Sequence, residues 1–233
     1  MRISRWTSVN VCDREGTSRN SRRSSVAFRI ASAAVLSILA LCGPVARAQV
    51  NVLTAHNDIS RTGQNTKETL LTPANVNTTQ FGKLFSQPIH DGAYAQPLYV
   101  SQVAVPGKGT HNVVYIATTG DVVYAFDADN NGGINATALW QVSLLTNTSP
   151  AGTYTAEYGV YSTPVIDLTT NTLYAISSEN LVSSGTDVFR LHALDITTGA
   201  EKFGGPVLIQ GSVSGTGSAS SGGTLTFDPA VQR

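Results

Sequence analysis

The stretch NVVYIATTGDVVYAFDAD, residues 112–129, carries the clearest structural signal in the chain. β-Branched and aromatic side chains fill two short runs on either side of Thr119-Gly120-Asp121, a triplet of turn-forming residues. The pattern predicts a hairpin, with one strand over residues 112–118 and the return over 122–127. After residue 50 no segment sustains the 3.6-residue apolar spacing of an amphipathic helix. Strand-like runs bounded by turn residues recur instead. The second clear pair is NTLYAISSEN (171–180) with DVFRLHALDITTG (187–199).

These two pairs read as copies of one unit. AQPLYV (95–100) corresponds to STPVID (162–167), VVYIA (113–117) to TLYAI (172–176), VYAFD (123–127) to LHALD (191–195), and LWQV (139–142) to KFGG (202–205). Pro97 and Pro164 lie 67 residues apart, and Asp127 and Asp195 lie 68 apart. Four strands per repeated unit is the pattern of a β-propeller blade: a lone four-stranded sheet exposes two faces and must stack on neighbours to bury them. The expected fold is all-β, a β-propeller of four-stranded blades. About two blades plus an outer strand are present, an incomplete ring, because propellers close with roughly four to eight blades.

The expected organisation is a signal peptide with a long basic leader (1–48), a clasp segment (49–82) and a partial propeller (83–233). Within the last are an outer strand at 83–89, blades at 95–143 and 162–209, a mobile Gly/Ser-rich loop at 211–223 and the start of a further blade at 224–233. The chain is therefore expected to be the N-terminal portion of a longer one, with an open apolar face and open strand edges that favour association when isolated.

Composition narrows the function. Charge is sparse and unevenly split: residues 1–48 hold eight Arg against Asp13 and Glu15, and residues 49–233 hold seven Lys/Arg against thirteen Asp/Glu, a net of −6. A mildly acidic body without a basic stripe argues against nucleic acid as a partner. Arg22, Arg23 and Arg29 precede the apolar run IASAAVLSILAL (30–41), and Ala46-Arg47-Ala48 follows as a cleavage pattern. The run is shorter than the about 20 apolar residues a membrane span needs. Export to the periplasm or exterior is expected, with cleavage near Ala48 and with either the general or the twin-arginine route open. Cys12 and Cys42 both precede the cleavage site, so the mature chain has no thiol for catalysis, zinc or disulfides.

The unit ends carry a family resemblance. LYAISSEN and RLHALDITTGAEKF are similar to the repeat of pyrroloquinoline-quinone (PQQ) enzymes, with Ala193-Leu194-Asp195, Thr198-Gly199 and Phe203 at its motif positions, Phe in place of the usual Trp. The first unit has Ala125-Phe126-Asp127 and then Trp140. HNDISRTGQNTKETLLTPANVNTTQFGKLFSQPI (56–89) resembles the lead-in segment of secreted bacterial quinoprotein-like propellers. The resemblance covers about residues 52–233 and speaks for fold more than for activity.

Two functions follow as expectations. The first is an exported, non-catalytic binding or scaffold module whose ligand is a partner, glycan or surface polymer, with no cofactor required. The second, implied by the resemblance, is part of a PQQ- and calcium-dependent dehydrogenase oxidising alcohols or sugars. Its cofactor candidates are Glu179 and Asn180, near where such dehydrogenases place a metal-binding Glu, although the surrounding Gly-x-Arg-Gly context is missing; the plainer reading is a polar inter-strand loop. Tyr158 and Tyr161, with Tyr154 and Glu157 in AGTYTAEYGVYSTP, either line a ligand face or anchor a loop by aromatic packing. Asp127, Asp129 and Asn131 match the first half of a calcium loop, but the twelfth position is Ala138, and the favoured reading is an Asx-rich turn. His192, inside a strand, is expected to be packed and satisfied. His56, Asp58, Arg61 and Gly63, in TAHNDISRTGQN (54–65), read as a hydrogen-bonded clasp rather than a catalytic group.

Overall fold

A computed structural model describes residues 50–146, 154–156, 158–182 and 184–229. The expected signal peptide, Glu157 and residues 230–233 lie outside them. The described chain is all-β. It includes a 3-10 turn at Gly133–Asn135, and no helix among the described residues is long and apolar enough to cross a membrane.

The first unit is a four-stranded antiparallel sheet of β1 (Leu98–Val105), β2 (Gly109–Ala117), β3 (Val122–Asp127) and β4 (Trp140–Ser143), in sequence order. The hairpin expected at 112–127 is β2–β3, with Val113 opposite Asp127 and Ala117 opposite Val123. Alternation sets its faces: Val113, Tyr115 and Ala117 are buried while Val114 and Ile116 are less so. In β3 every residue after Val122 is buried, as expected of a strand covered on both faces. A bulge between Val100 and Val103 bends β1, where Gln102 takes a φ of 57° and its N–H donates to Asn112 Oδ1.

The second unit comprises β5 (Tyr154–Ala156), β6 (Val165–Asp167), β7 (Thr172–Leu181), β8 (Thr186–Asp195) and β9 (Val207–Ile209); β5 and β6 both pair with β7, and β8 joins β7 to β9. Its register repeats that of the first. Leu98 faces Tyr115 as Val165 faces Tyr174, Tyr115 faces Ala125 as Tyr174 faces Ala193, and Val113 faces Asp127 as Thr172 faces Asp195. Even the start of the fourth strand is equivalent: Leu139 N–H donates to Ala125 O at 2.7 Å, and Lys202 N–H to Ala193 O at 2.7 Å.

Three expected boundaries shift. The fourth strand of the second unit does not run through 202–205. It breaks after Lys202, where Phe203 and Gly204 take φ of 55° and 74°, and resumes as β9 beyond Pro206, whose ring cannot donate to a ladder. No strand forms over 83–89, because no described strand offers that segment a ladder. The Gly/Ser-rich segment 211–223 is not loop throughout: β10 (Ser212–Ser214) pairs with β11 (Thr224–Thr226), and Leu225 lies over Gly215 and Gly217, where a Cβ on Gly215 would come within 2.6 Å of it.

The core joins the two units. Leu98, Val113, Val123, Trp140 and Val160 form one buried cluster with Ile166, Leu173 and Leu194. Two polar contacts fix the alignment. Tyr115 Oη donates to Ile196 O at 2.9 Å and Trp140 Nε1 donates to the same oxygen at 3.0 Å. Trp140 lies on the turn that carries Gly199: with φ of 74°, a Cβ there would come within 2.6 Å of the indole. Glycine is thus required at this turn for two independent reasons, backbone conformation and close approach.

Candidate functional site

The clasp segment is held by its own backbone and side chains. His56 and Arg61 both take φ of 57°, and Gly63 φ of 69°. His56 O accepts from Asp58 and Gly63 N–H, Arg61 donates to Thr54 Oγ1 and Ala55 O at 2.7 Å each, and Asp58 accepts from Thr62 N–H and hydroxyl. Those bonds hold the Asp58 carboxyl below its ordinary range, the Thr62 hydroxyl contributing most. The segment ties down both units: Val52 bridges Tyr99 of β1, Leu53 O accepts from Ile166 N–H of β6, and His56 N–H donates to Gln96 Oε1. A broad hollow of about 480 Å³ lies over it, but the Asp58 carboxylate on its wall is already engaged by Thr62.

The residues read as half a calcium loop form an Asx turn. Asp127 Oδ1 accepts from Asp129 and Asn130 N–H at 2.8 and 2.9 Å, and Oδ2 from Asn135 Nδ2 at 3.1 Å and from the His111 ring at 2.6 Å. Asp129 accepts from Asn112, and Asn131 reaches toward Ser86 O. The acceptors around His111, first Lys108 O and then Asp127, raise the histidine's pKa against the opposing effect of burial. Asp195 and Asp167 repeat the device with Thr197 and Thr169 N–H, at 2.8 and 2.9 Å. The Asp that ends each unit's third strand is a turn-former.

Glu179 and Asn180 are not in a loop. They lie in β7, opposite Val188 and Asp187, because the strand runs on to Leu181. Asn180 donates to Asp187 at 2.7 Å. Glu179 is fully buried, and its carboxylate faces Thr146 and Ser177 hydroxyls, each at 3.3 Å, and Arg190 Nε at 3.4 Å. Ser177 continues the chain to His192 Nε2 at 3.1 Å, and His192 Nδ1 meets Glu201 Oε2 at 2.9 Å. His192 is therefore packed and satisfied, as its sequence setting predicts. The row Ser177–His192–Glu201 has the spacing of a nucleophile, base and orienting acid. Ser177 is fully buried, so the row has no surface at which to meet a substrate.

Asp121 enters this region from the other unit. It sits in the β2–β3 turn, is fully buried, and neither carboxylate oxygen has a hydrogen-bond partner among the described residues. Burial first and the neighbouring Glu179 charge second push its pKa from 3.8 up to about 8. Among the described residues, the oxygens needed for the calcium seat implied by the PQQ-enzyme resemblance do not converge here. Calcium takes six to eight oxygens, the Glu179 carboxylate is already shared with Arg190, and among the described residues no three His, Cys, Asp or Glu side chains gather to hold a metal.

Tyr158 and Tyr161 stand at a recess. With Gly159 they face Ile176, Ser178 and Phe189 around a cavity of about 150 Å³. Tyr161 stacks on Tyr94, ring centroids 5.1 Å apart and planes within 16°. Ser178 Oγ, buried, has no partner among the described residues. Gly159 holds the recess against the first unit: a Cβ on it would come within 2.1 Å of Thr119 O. Val160 N–H donates to Thr118 O at 3.1 Å, and Gly159 and Ser178 exchange backbone bonds.

Sequence reasoning placed Glu179, Tyr158 and Tyr161 among the candidates, and β7 brings Glu179 close to the recess on its opposite face. It missed Asp121 and Ser177. A lone acid after Thr-Gly reads as an ordinary exposed turn residue. The only available signal was the Ser-Ser-Glu run, polar within an otherwise apolar strand. Comparison with protein-family models finds no match, and none of the curated proteins matches the chain.

Proposed function

We propose that the chain is the N-terminal portion of an exported β-propeller protein of the PQQ-like repeat type, and that it binds a ligand without turning it over. The observation that carries this reading is the tyrosine-walled recess. Its volume of about 150 Å³ accommodates a single six-membered ring, and Tyr158, Tyr161, Ile176 and Phe189 offer apolar surface to it. Two units in equivalent register support the repeat type. The leader with its cleavage pattern supports export. A propeller would use further C-terminal blades to cover the exposed face of the second unit.

The test is a screen of monocyclic apolar and aromatic compounds against the full-length product, read as a shift in Tm. A hit whose effect is lost in Tyr161→Ala and Ile176→Asp, both folded, supports the recess. A bound quinone spectrum, or dye-linked alcohol oxidation after addition of calcium and PQQ, overturns the non-catalytic reading in favour of the dehydrogenase.

A further inference from the structure

The junction between the two units contains more buried acid than the described residues neutralise. Asp121 and Glu179 are both fully buried. Among the described residues, the guanidinium placed against them is that of Arg190, which faces Glu179 at 3.4 Å. His192, on the same strand as Arg190, is turned to Ser177 and to Glu201, its own carboxylate partner. On the outer side of the turn stands another acid, the exposed Asp91, whose carboxylate lies where a Cβ on Gly120 would be. Asp121 therefore faces the Glu179 charge with no hydrogen bond of good geometry to either oxygen among the described residues, and the nearby Ser178 N–H offsets burial and that charge only in part. An ionised, unpaired carboxylate in such a place costs far more than a neutral acid with an unmet hydroxyl.

The same turn is the contact between the units. Thr118 O accepts from Val160 N–H, Leu144 N–H donates to Asp121 O at 2.7 Å, and Gly159 packs directly on Thr119. Like charge on Asp121 and Glu179 acts across these bonds.

We propose that Asp121 is a proton-operated latch: with a proton on its carboxyl the 118–121 turn seats against β7, and on ionisation it repels Glu179, loosening the turn and the recess beside Gly159. The inference does not depend on what the recess binds.

The sign is fixed by linkage. The folded chain holds the proton more tightly than the unfolded chain, so between about pH 4 and about pH 8 stability declines as pH rises; above that range Asp121 is ionised in both states and the decline stops. Thermal unfolding of the full chain and of Asp121→Asn at pH 6 and pH 9 tests the latch. The wild type should lose roughly 5 °C more than the variant over this interval, and Asp121→Asn should be the more stable of the two at pH 9. Parallel losses overturn the proposal. Should Asp121→Asn fail to fold, the infrared carbonyl stretch of a protonated carboxyl, slow to exchange in deuterated buffer, reads the wild type directly: present at pH 6 and lost by pH 9 supports the latch, absent at pH 6 overturns it. A calcium-induced rise in wild-type Tm at pH 9 that Asp121→Asn abolishes also overturns it, because a cation rather than a proton then neutralises the site.

Discussion

Tyr115 and Trp140 of the first unit have counterparts in Tyr174 and Phe203 of the second, at the same places in the same register, yet their surroundings differ completely. Tyr115 and Trp140 are 2% and 9% exposed and share the carbonyl of Ile196. Phe203 is 70% exposed, with the Lys202 ammonium over its ring at 5.3 Å. Tyr174 is half-buried. The first unit is roofed by the Asp195–Gly199 turn of the second, whereas the second presents Ile176, Leu191 and Val207 to solvent. A repeated sequence pattern thus sets strand pairing within each unit, while burial comes from the neighbour. Equivalent residues should then have very unequal energetic weight.

The sharpest way to break this comparison is truncation of the aromatic pair. Trp140→Ala should cost about 3–5 kcal/mol in urea unfolding, and Phe203→Ala less than about 0.5 kcal/mol; similar losses would show that the second unit is roofed too. Next come the turn glycines. Gly199→Ala meets both an unfavourable φ and the indole and should lose about 3 kcal/mol, against about 1 kcal/mol for Gly204→Ala, which has the same φ of 74° but open space around it. Removing one hydroxyl is gentler. Tyr115→Phe should cost about 1 kcal/mol because Ile196 O keeps only the Trp140 donor, and Tyr174→Phe should be neutral within error. Smaller than the Tyr115→Phe loss is the effect expected at the clasp, which grips β1 and β6 alike. Arg61→Ala should lower stability by about 0.5–1 kcal/mol, since its two bonds lie near the surface, and should leave ligand affinity of the folded fraction unchanged.

Much of the fold was legible because pairing within a unit is local. The Val/Tyr alternation of 112–127, the Asp that closes each third strand and the glycine of Thr198-Gly199 all act over a few residues, and each lies where the sequence places it. The fourth strand of the second unit was legible only to Lys202, since Gly204, Gly205 and Pro206 insert an irregular turn before β9. The site was less legible. Tyr158 and Tyr161 were visible as an aromatic cluster in a Gly-rich loop, but their facing wall comes from β7 and β8. Asp121 was invisible as a buried acid because what buries it lies about 60 residues further along the chain, on an element whose own polarity reads as a loop. Interactions between units leave no periodicity in either.

The shared carbonyl of Ile196 also has a consequence for synthesis. Its two donors precede it by 81 and 56 residues. At about 5–20 residues per second, the indole of Trp140 leaves the ribosome roughly 3–11 s before the turn that will cover it. Throughout that interval the nascent first unit carries a finished sheet with a bare aromatic face, so chaperone binding to this chain should peak in the window between those two positions.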